Sequence, residues 1–215
     1  MTVSFFLRVF LFILPISAVG QGLVVSNTKQ NILYNGVENP LNFALKFRNT
    51  QHVKISASVG TIRETGSQLI YQNCTNQVGE IQLYAIDSQT KKVIDSVLFR
   101  LKKLPDPEIV MMTRSSAEGQ YTGNNILGDC YGLRGIIRFI DYVADIEIIE
   151  VKITITSTAG TSRVILNSGP RFSPEILDAF KKLQQKDVVQ FGDIKLKVGC
   201  ENFIRTLSQR LVFEK

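Results

Sequence analysis

The chain has 215 residues, room for one large or two ordinary domains, and 25 Lys plus Arg against 19 Asp plus Glu give a formal net charge of +6. That mild excess is scattered over Arg100-Leu101-Lys102-Lys103, Arg163 and Lys181-Lys182 without the aromatic interleaving or recognisable module of a nucleic-acid binder, so a nucleic acid is excluded as partner. A single histidine, His52, and three cysteines with no C-x-x-C spacing point to no metal and no cofactor.

In chain order, residues 1–20 read as a signal peptide. Phe5 to Val19 is apolar apart from Arg8 and Ser17, and falls short of the roughly 20 apolar residues that a membrane span needs. Arg8 supplies the positive start, Val9 to Ile16 the apolar stretch and Ala18-Val19-Gly20 a small-residue cleavage site, which makes Gln21 the expected first residue of an exported chain. An uncleaved anchor is the competing reading of the same stretch. No cysteine follows the run, so the lipoprotein route is not indicated, and no later segment reads as a transmembrane span.

Residues 21–104 read as strands. Leu41, Phe43, Leu45 and Phe47 alternate with Asn42, Ala44, Lys46 and Arg48, and Val53, Ile55, Ala57 and Val59 repeat the period of two that buries one face of a sheet. Gln68 to Gln72, Glu80 to Ile86 and Val93 to Leu101 follow, with polar turns such as Asp87-Ser88-Gln89-Thr90 between them. That spacing predicts an immunoglobulin-like β-sandwich, although the tryptophan and paired cysteines of antibody domains are absent. Residues 105–108 form a Pro-rich linker: Pro105 and Pro107 fix φ and lack a ladder donor, which ends a strand and stiffens the connection.

Residues 109–215 predict a second β-sandwich with one helix over about 174–185, so the fold class is mainly β in two tandem domains. Strands are expected at Leu133 to Phe139, Ile146 to Thr156, Arg163 to Leu166, Val188 to Val198 and Arg205 to Phe213, with a β-bulge where Ile148 and Ile149 break the alternation. Ser173, Pro174 and Glu175 give a helix start, and Ile176, Leu177, Phe180 and Leu183 line one apolar face. Lys181, Lys182 and Lys186 sit near its negative end.

Two stretches carry a family resemblance. The block Asn31-Ile32-Leu33-Tyr34-Asn35-Gly36-Val37-Glu38-Asn39-Pro40 resembles the start of a periplasmic β-domain in the GldM family, shaft proteins of the Bacteroidetes gliding and type IX secretion machine, where N-x-L-Y-x-G-V-x-N-P recurs. The Lys103-Leu104-Pro105-Asp106-Pro107 punctuation, and the run from Arg171 through Phe172 and Ser173 to Phe191-Gly192-Asp193-Ile194-Lys195, are similar to the last two domains of that family. The resemblance implies a free-standing, exported GldM-like protein, periplasmic or secreted, whose partners are envelope proteins such as outer-membrane ring components. It also implies a homodimer. The membrane start that couples those shafts to their motor has no counterpart in these residues, so energy coupling does not carry over. Tyr34, Gly36 and Pro40 are expected to set the entry turn of the first domain, and Pro105 and Pro107 the angle between domains.

Little in the chain suggests a reaction, and no enzyme is expected. His52 at the lip of a strand reads as a surface residue. Asp141, Asp145, Glu147 and Glu150 read as the wet side of a strand and its preceding turn, since alternation places Ile146 and Ile148 opposite Asp145 and Glu147. In an oxidising periplasm cysteines serve structure, and Cys130 with Cys200 is the candidate disulfide because both fall in the second domain, which leaves Cys74 single. Two buried free thiols are the open alternative. The polar stretch Ser115 to Asn125 reads as a surface loop, and Tyr121, Asn124, Asn125, Ile126 and Leu127 are the expected partner contacts. A secreted adhesin or carbohydrate-binding sandwich is the alternative function, tested by glycan retention.

Overall fold

Alternating apolar residues build most of this molecule, and the strands they make stack into several sheets. The computed structural model describes residues 23–27, 32–45, 52–66, 68–114, 126–138 and 141–214. Within them the chain is mainly β, with helices only at α1 (Ile126–Asp129) and α2 (Pro174–Lys181).

The N-terminal half carries two four-stranded sheets. One has the order β1 (Leu23–Asn27), β3 (Glu38–Leu45), β6 (Gln68–Gln72), β5 (Thr61–Thr65). The other runs β2 (Ile32–Tyr34), β8 (Val93–Lys102), β7 (Gly79–Asp87), β4 (Val53–Ala57), with β2 parallel to β8 and every other pairing antiparallel. Their inward residues, among them Leu33, Leu41, Ile55, Leu69, Tyr71, Ile81, Leu83, Phe99 and Leu101, form one buried cluster. Every second residue of β7 joins it, as Ile81, Leu83 and Ala85, which is what a pleated strand wet on one side requires.

The C-terminal half pairs β9 (Glu108–Thr113) with β10 (Cys130–Ile136), and sets them beside a five-stranded antiparallel sheet of order β12 (Ser162–Ser168), β11 (Ile146–Thr156), β13 (Val188–Val198), β14 (Arg205–Leu207). The last strand, β15 (Leu211–Glu214), also pairs with β13. Ile176 and Phe180 of α2 enter the second core, where Phe172, Phe180 and Phe191 meet ring to ring at 5.5 to 6.1 Å between centroids.

Several elements differ from expectation. The strand from Arg205 to Phe213 is two short strands, because Ser208 to Arg210 leave the ladder between them. The helix stops at Lys181 rather than running to about 185. Asp187 captures the next turn: its carboxylate accepts from Gln184 N at 2.8 Å while its own N–H donates to Gln184 O at 3.2 Å. Leu183 stays buried beyond the helix end. The bulge at Ile148-Ile149 is present as a register shift between Ile148 and Glu150 where β11 meets β13.

Candidate functional site

Residues 32–40 of the 31–40 block meet the C-terminal half at a junction dense in hydrogen bonds among the described residues. Between β2 and β3 the chain turns at Asn35-Gly36, with Gly36 at φ +84. Gly36 N donates to Asn73 O at 2.8 Å, Asn35 N to Lys102 O at 2.9 Å, and Asn73 Nδ2 to Asn35 Oδ1 at 2.7 Å. Asn39 staples the same turn: its Oδ1 accepts from Tyr34 N at 2.8 Å and its Nδ2 donates to Tyr34 O and Val37 O. A buried amide with these partners satisfies backbone groups that the turn would leave orphaned.

From the other side comes the loop after β13. Cys200 N donates to Gly36 O at 2.9 Å, and Asn202 N to Cys74 O at 3.0 Å. Between these two bonds lies a disulfide from Cys74 to Cys200, across a sequence separation of 126. The expected Cys130–Cys200 pair is therefore corrected. Cys130 starts β10 within the second core, where its thiol is buried, hydrogen-bonds Leu127 O and is pushed up to about 12 by burial. A thiol so held is neutral and inert at ordinary pH.

Below the disulfide, a buried ion pair grips the linker. Arg205 Nε donates to Glu201 Oε2 at 2.8 Å, and a second guanidinium nitrogen bonds Glu201 Oε1, with both side chains almost fully buried. The remaining nitrogen donates to Leu104 O, Pro105 O and Asp106 Oδ1 at 3.0 to 3.3 Å. Pro105 is exposed and Pro107 buried, so the linker is a clamped segment rather than a loose tether. Val37 of the turn packs into the second core, and Tyr34 meets Tyr142 edge-on at 5.3 Å. Asn27 Nδ2 donates to the Tyr142 hydroxyl at 2.6 Å.

Of the residues singled out for structure, Tyr34 and Gly36 lie in this junction, and Pro40 lies one strand further in, paired with Ile70. Of the expected partner contacts, Tyr121, Asn124 and Asn125 lie outside the described residues. Ile126 begins α1, but Leu127 is a correction: at 5% exposure it belongs to the second core, because the short α1 turns it inward above Cys130. Sequence reading passed over Asn35, Asn39, Asn73, Glu201 and Arg205. The Asn-Gly turn dipeptide was the one local signal available for any of them.

Beside the junction, the outer face of the β2-β8-β7-β4 sheet offers a shallow depression lined by Val78, Gly79, Glu80, Arg100, Leu101, Lys102 and Lys103. Val78 and the neighbouring Leu98 are more than half exposed. Lys103 reaches Asp106 at 3.7 Å, while Arg100 and Lys102 have no ion pair among the described residues. The acids of β11 do not gather into a site: Asp145 and Glu147 are exposed, and Glu150 bonds Lys195 at 2.8 Å, holding that ammonium above its usual range. His52 is exposed at the start of β4. Among the described residues no group of three His, Cys, Asp or Glu is placed to hold a metal ion, and no helix is long and apolar enough to cross a membrane.

No model of a known protein family matches this chain, and no curated protein matches its sequence. The fold and the junction define a mainly β, sandwich-like protein whose two halves are fastened covalently.

Proposed function

We propose that this chain is an exported, non-catalytic docking module of the bacterial envelope, resembling the distal domains of GldM, and that it works as a rigid two-domain block. The observation that carries the reading is the Cys74–Cys200 bridge across the two halves. Disulfides persist in oxidising compartments such as the periplasm or the cell exterior, in keeping with the signal-peptide reading of residues 1–20. The block that resembles GldM supplies the turn onto which that bridge closes, a structural reason for Asn35, Gly36 and Asn39 to stand there.

The strand orders β1-β3-β6-β5 and β4-β7-β8 support an immunoglobulin-like first domain, matching A-B-E-D and C-F-G with β2 added beside the last strand. The docking surface in this reading is the depression at Arg100, Lys102 and Lys103, whose cations and apolar rim at Val78 and Leu98 suit an acidic envelope protein with an apolar anchor. The test is affinity capture from native envelopes with the wild-type chain and with Arg100→Glu/Lys102→Glu. Recovery of gliding or secretion components that the double variant loses supports the proposal. Retention on glycans, or capture indifferent to the charge reversal, overturns it.

A further inference from the structure

The native bridge skips a cysteine. In chain order the three are Cys74, Cys130 and Cys200, and the bond joins the first to the third. Cys130 ends as a buried thiol in the second core, bonded to Leu127 O. Cys74 and Cys200 end half-buried in the loops after β6 and β13, where Asn202 N donates to Cys74 O and Cys200 N to Gly36 O.

In the unfolded chain, loop statistics favour the other pairs. Cys74 to Cys130 spans less than half of the 126 residues between Cys74 and Cys200, and Cys130 to Cys200 little more than half. Closure falls roughly as the 3/2 power of loop length, so each shorter loop closes about two and a half to three and a half times as often as the native one, and together they outweigh it roughly sixfold. Either shorter bond consumes one native partner. Such a chain cannot close the junction, because Cys74 or Cys200 is held at Cys130 instead.

We infer that this chain reaches its bridge by exchange, as a substrate of a thiol–disulfide isomerase acting after a disulfide oxidant has made a first bond through Cys130. The oxidant's own disulfide accepts the two electrons and two protons of the two thiols that join. On a Cys74–Cys130 chain an isomerase thiolate then attacks Cys74 Sγ, and the Cys130 thiolate leaves, takes up a proton and enters the core. The Cys200 thiolate next attacks Cys74 Sγ of the mixed disulfide and expels the isomerase thiolate. Each step breaks one S–S bond and makes one, so nothing further is oxidised or reduced. Unaided, such rearrangement takes on the order of minutes to hours. Folding then buries Cys130, which removes the one internal nucleophile that could attack the finished bridge.

For the test, the purified chain is reduced, unfolded and diluted into native buffer with oxidised and reduced glutathione, with or without protein disulfide isomerase. Acid quenching, alkylation and peptide mass mapping then measure each bond over time. No envelope partner takes part, so the outcome is independent of the function proposed above. Bonds to Cys130 should exceed Cys74–Cys200 severalfold at first, and the isomerase should hasten their conversion roughly tenfold or more. Cys130→Ala and Cys130→Val leave one possible bond, and should form it without that phase and without a comparable gain from the isomerase. A melt of the oxidised chain close to wild type shows which variant folds; if neither does, the wild-type time course decides alone. A native bond that forms first with no Cys130-bonded species, or a conversion that the isomerase leaves unchanged, overturns the inference, as does an equal gain in a folded Cys130 variant.

Discussion

Tyr71 is the one described side chain whose polar atom is buried without a hydrogen-bond partner. Its ring fills the first core, and its hydroxyl lies over Gly60, where an added Cβ would strike both the ring and the oxygen. Burial pushes its pKa from 10.0 up to about 12. An orphaned hydroxyl costs its desolvation and gains nothing in return, so Tyr71→Phe should raise unfolding free energy by about 1 kcal/mol in urea titrations at neutral pH. Because the folded value is raised, the unfolded chain sheds this proton first as pH climbs. Stability should therefore fall between pH 10 and about 12, and the phenylalanine variant should show a shallower fall. A less stable variant with an unchanged alkaline slope would mean that the hydroxyl has a partner after all.

At the scale of elements, the turn from β12 into α2 hangs on Asn167. The buried amide accepts from Ser173 N at 3.1 Å and donates to Gly169 O and Arg171 O at 2.9 and 3.0 Å, fixing the approach to the Ser173 N-cap. Asn167→Leu keeps the branching and heavy-atom count but strands these three backbone groups, and should cost about 2 to 3 kcal/mol in denaturant unfolding. A loss below about 0.5 kcal/mol would show that the turn holds itself. The start of α2 was legible from Ser173-Pro174-Glu175, yet nothing local announced Asn167, whose partners are backbone atoms. β11 and β13 were legible to the residue because each alternates along its length, or breaks alternation only at the bulge. β5 escaped because Thr61-Ile62-Arg63-Glu64-Thr65 has one apolar residue, as suits an edge, and β9 because Ile109-Val110-Met111-Met112 is apolar without a period. The disulfide was misread on the premise that cysteines pair within a domain. No spacing rule reveals that the loop after β6, which carries Cys74, and the loop after β13, which carries Cys200, meet.

For the whole molecule, that meeting decides whether the halves melt together. Each has its own buried cluster, so each has reason to unfold by itself. The junction contacts couple them, among them Val37 crossing into the second core, Tyr34 and Asn27 meeting Tyr142, Arg205 holding the linker carbonyls, and the bridge between Cys74 and Cys200. Only the bridge acts on the unfolded chain, closing a loop of 126 residues in sequence separation. Loop-closure entropy for that length is on the order of 5 kcal/mol, more than one buried hydrogen bond contributes. The Cys74→Ser/Cys200→Ser double variant should thus lower stability by about 3 to 5 kcal/mol, the loss typical of a native disulfide. In scanning calorimetry the single transition of the oxidised chain should split into two. Since Gly36 O would keep its bond from residue 200 N, the folded structures should differ little, and the change should appear in unfolding alone. One transition at an unchanged temperature would mean that the non-covalent junction contacts suffice to couple the halves, leaving the bridge without mechanical consequence.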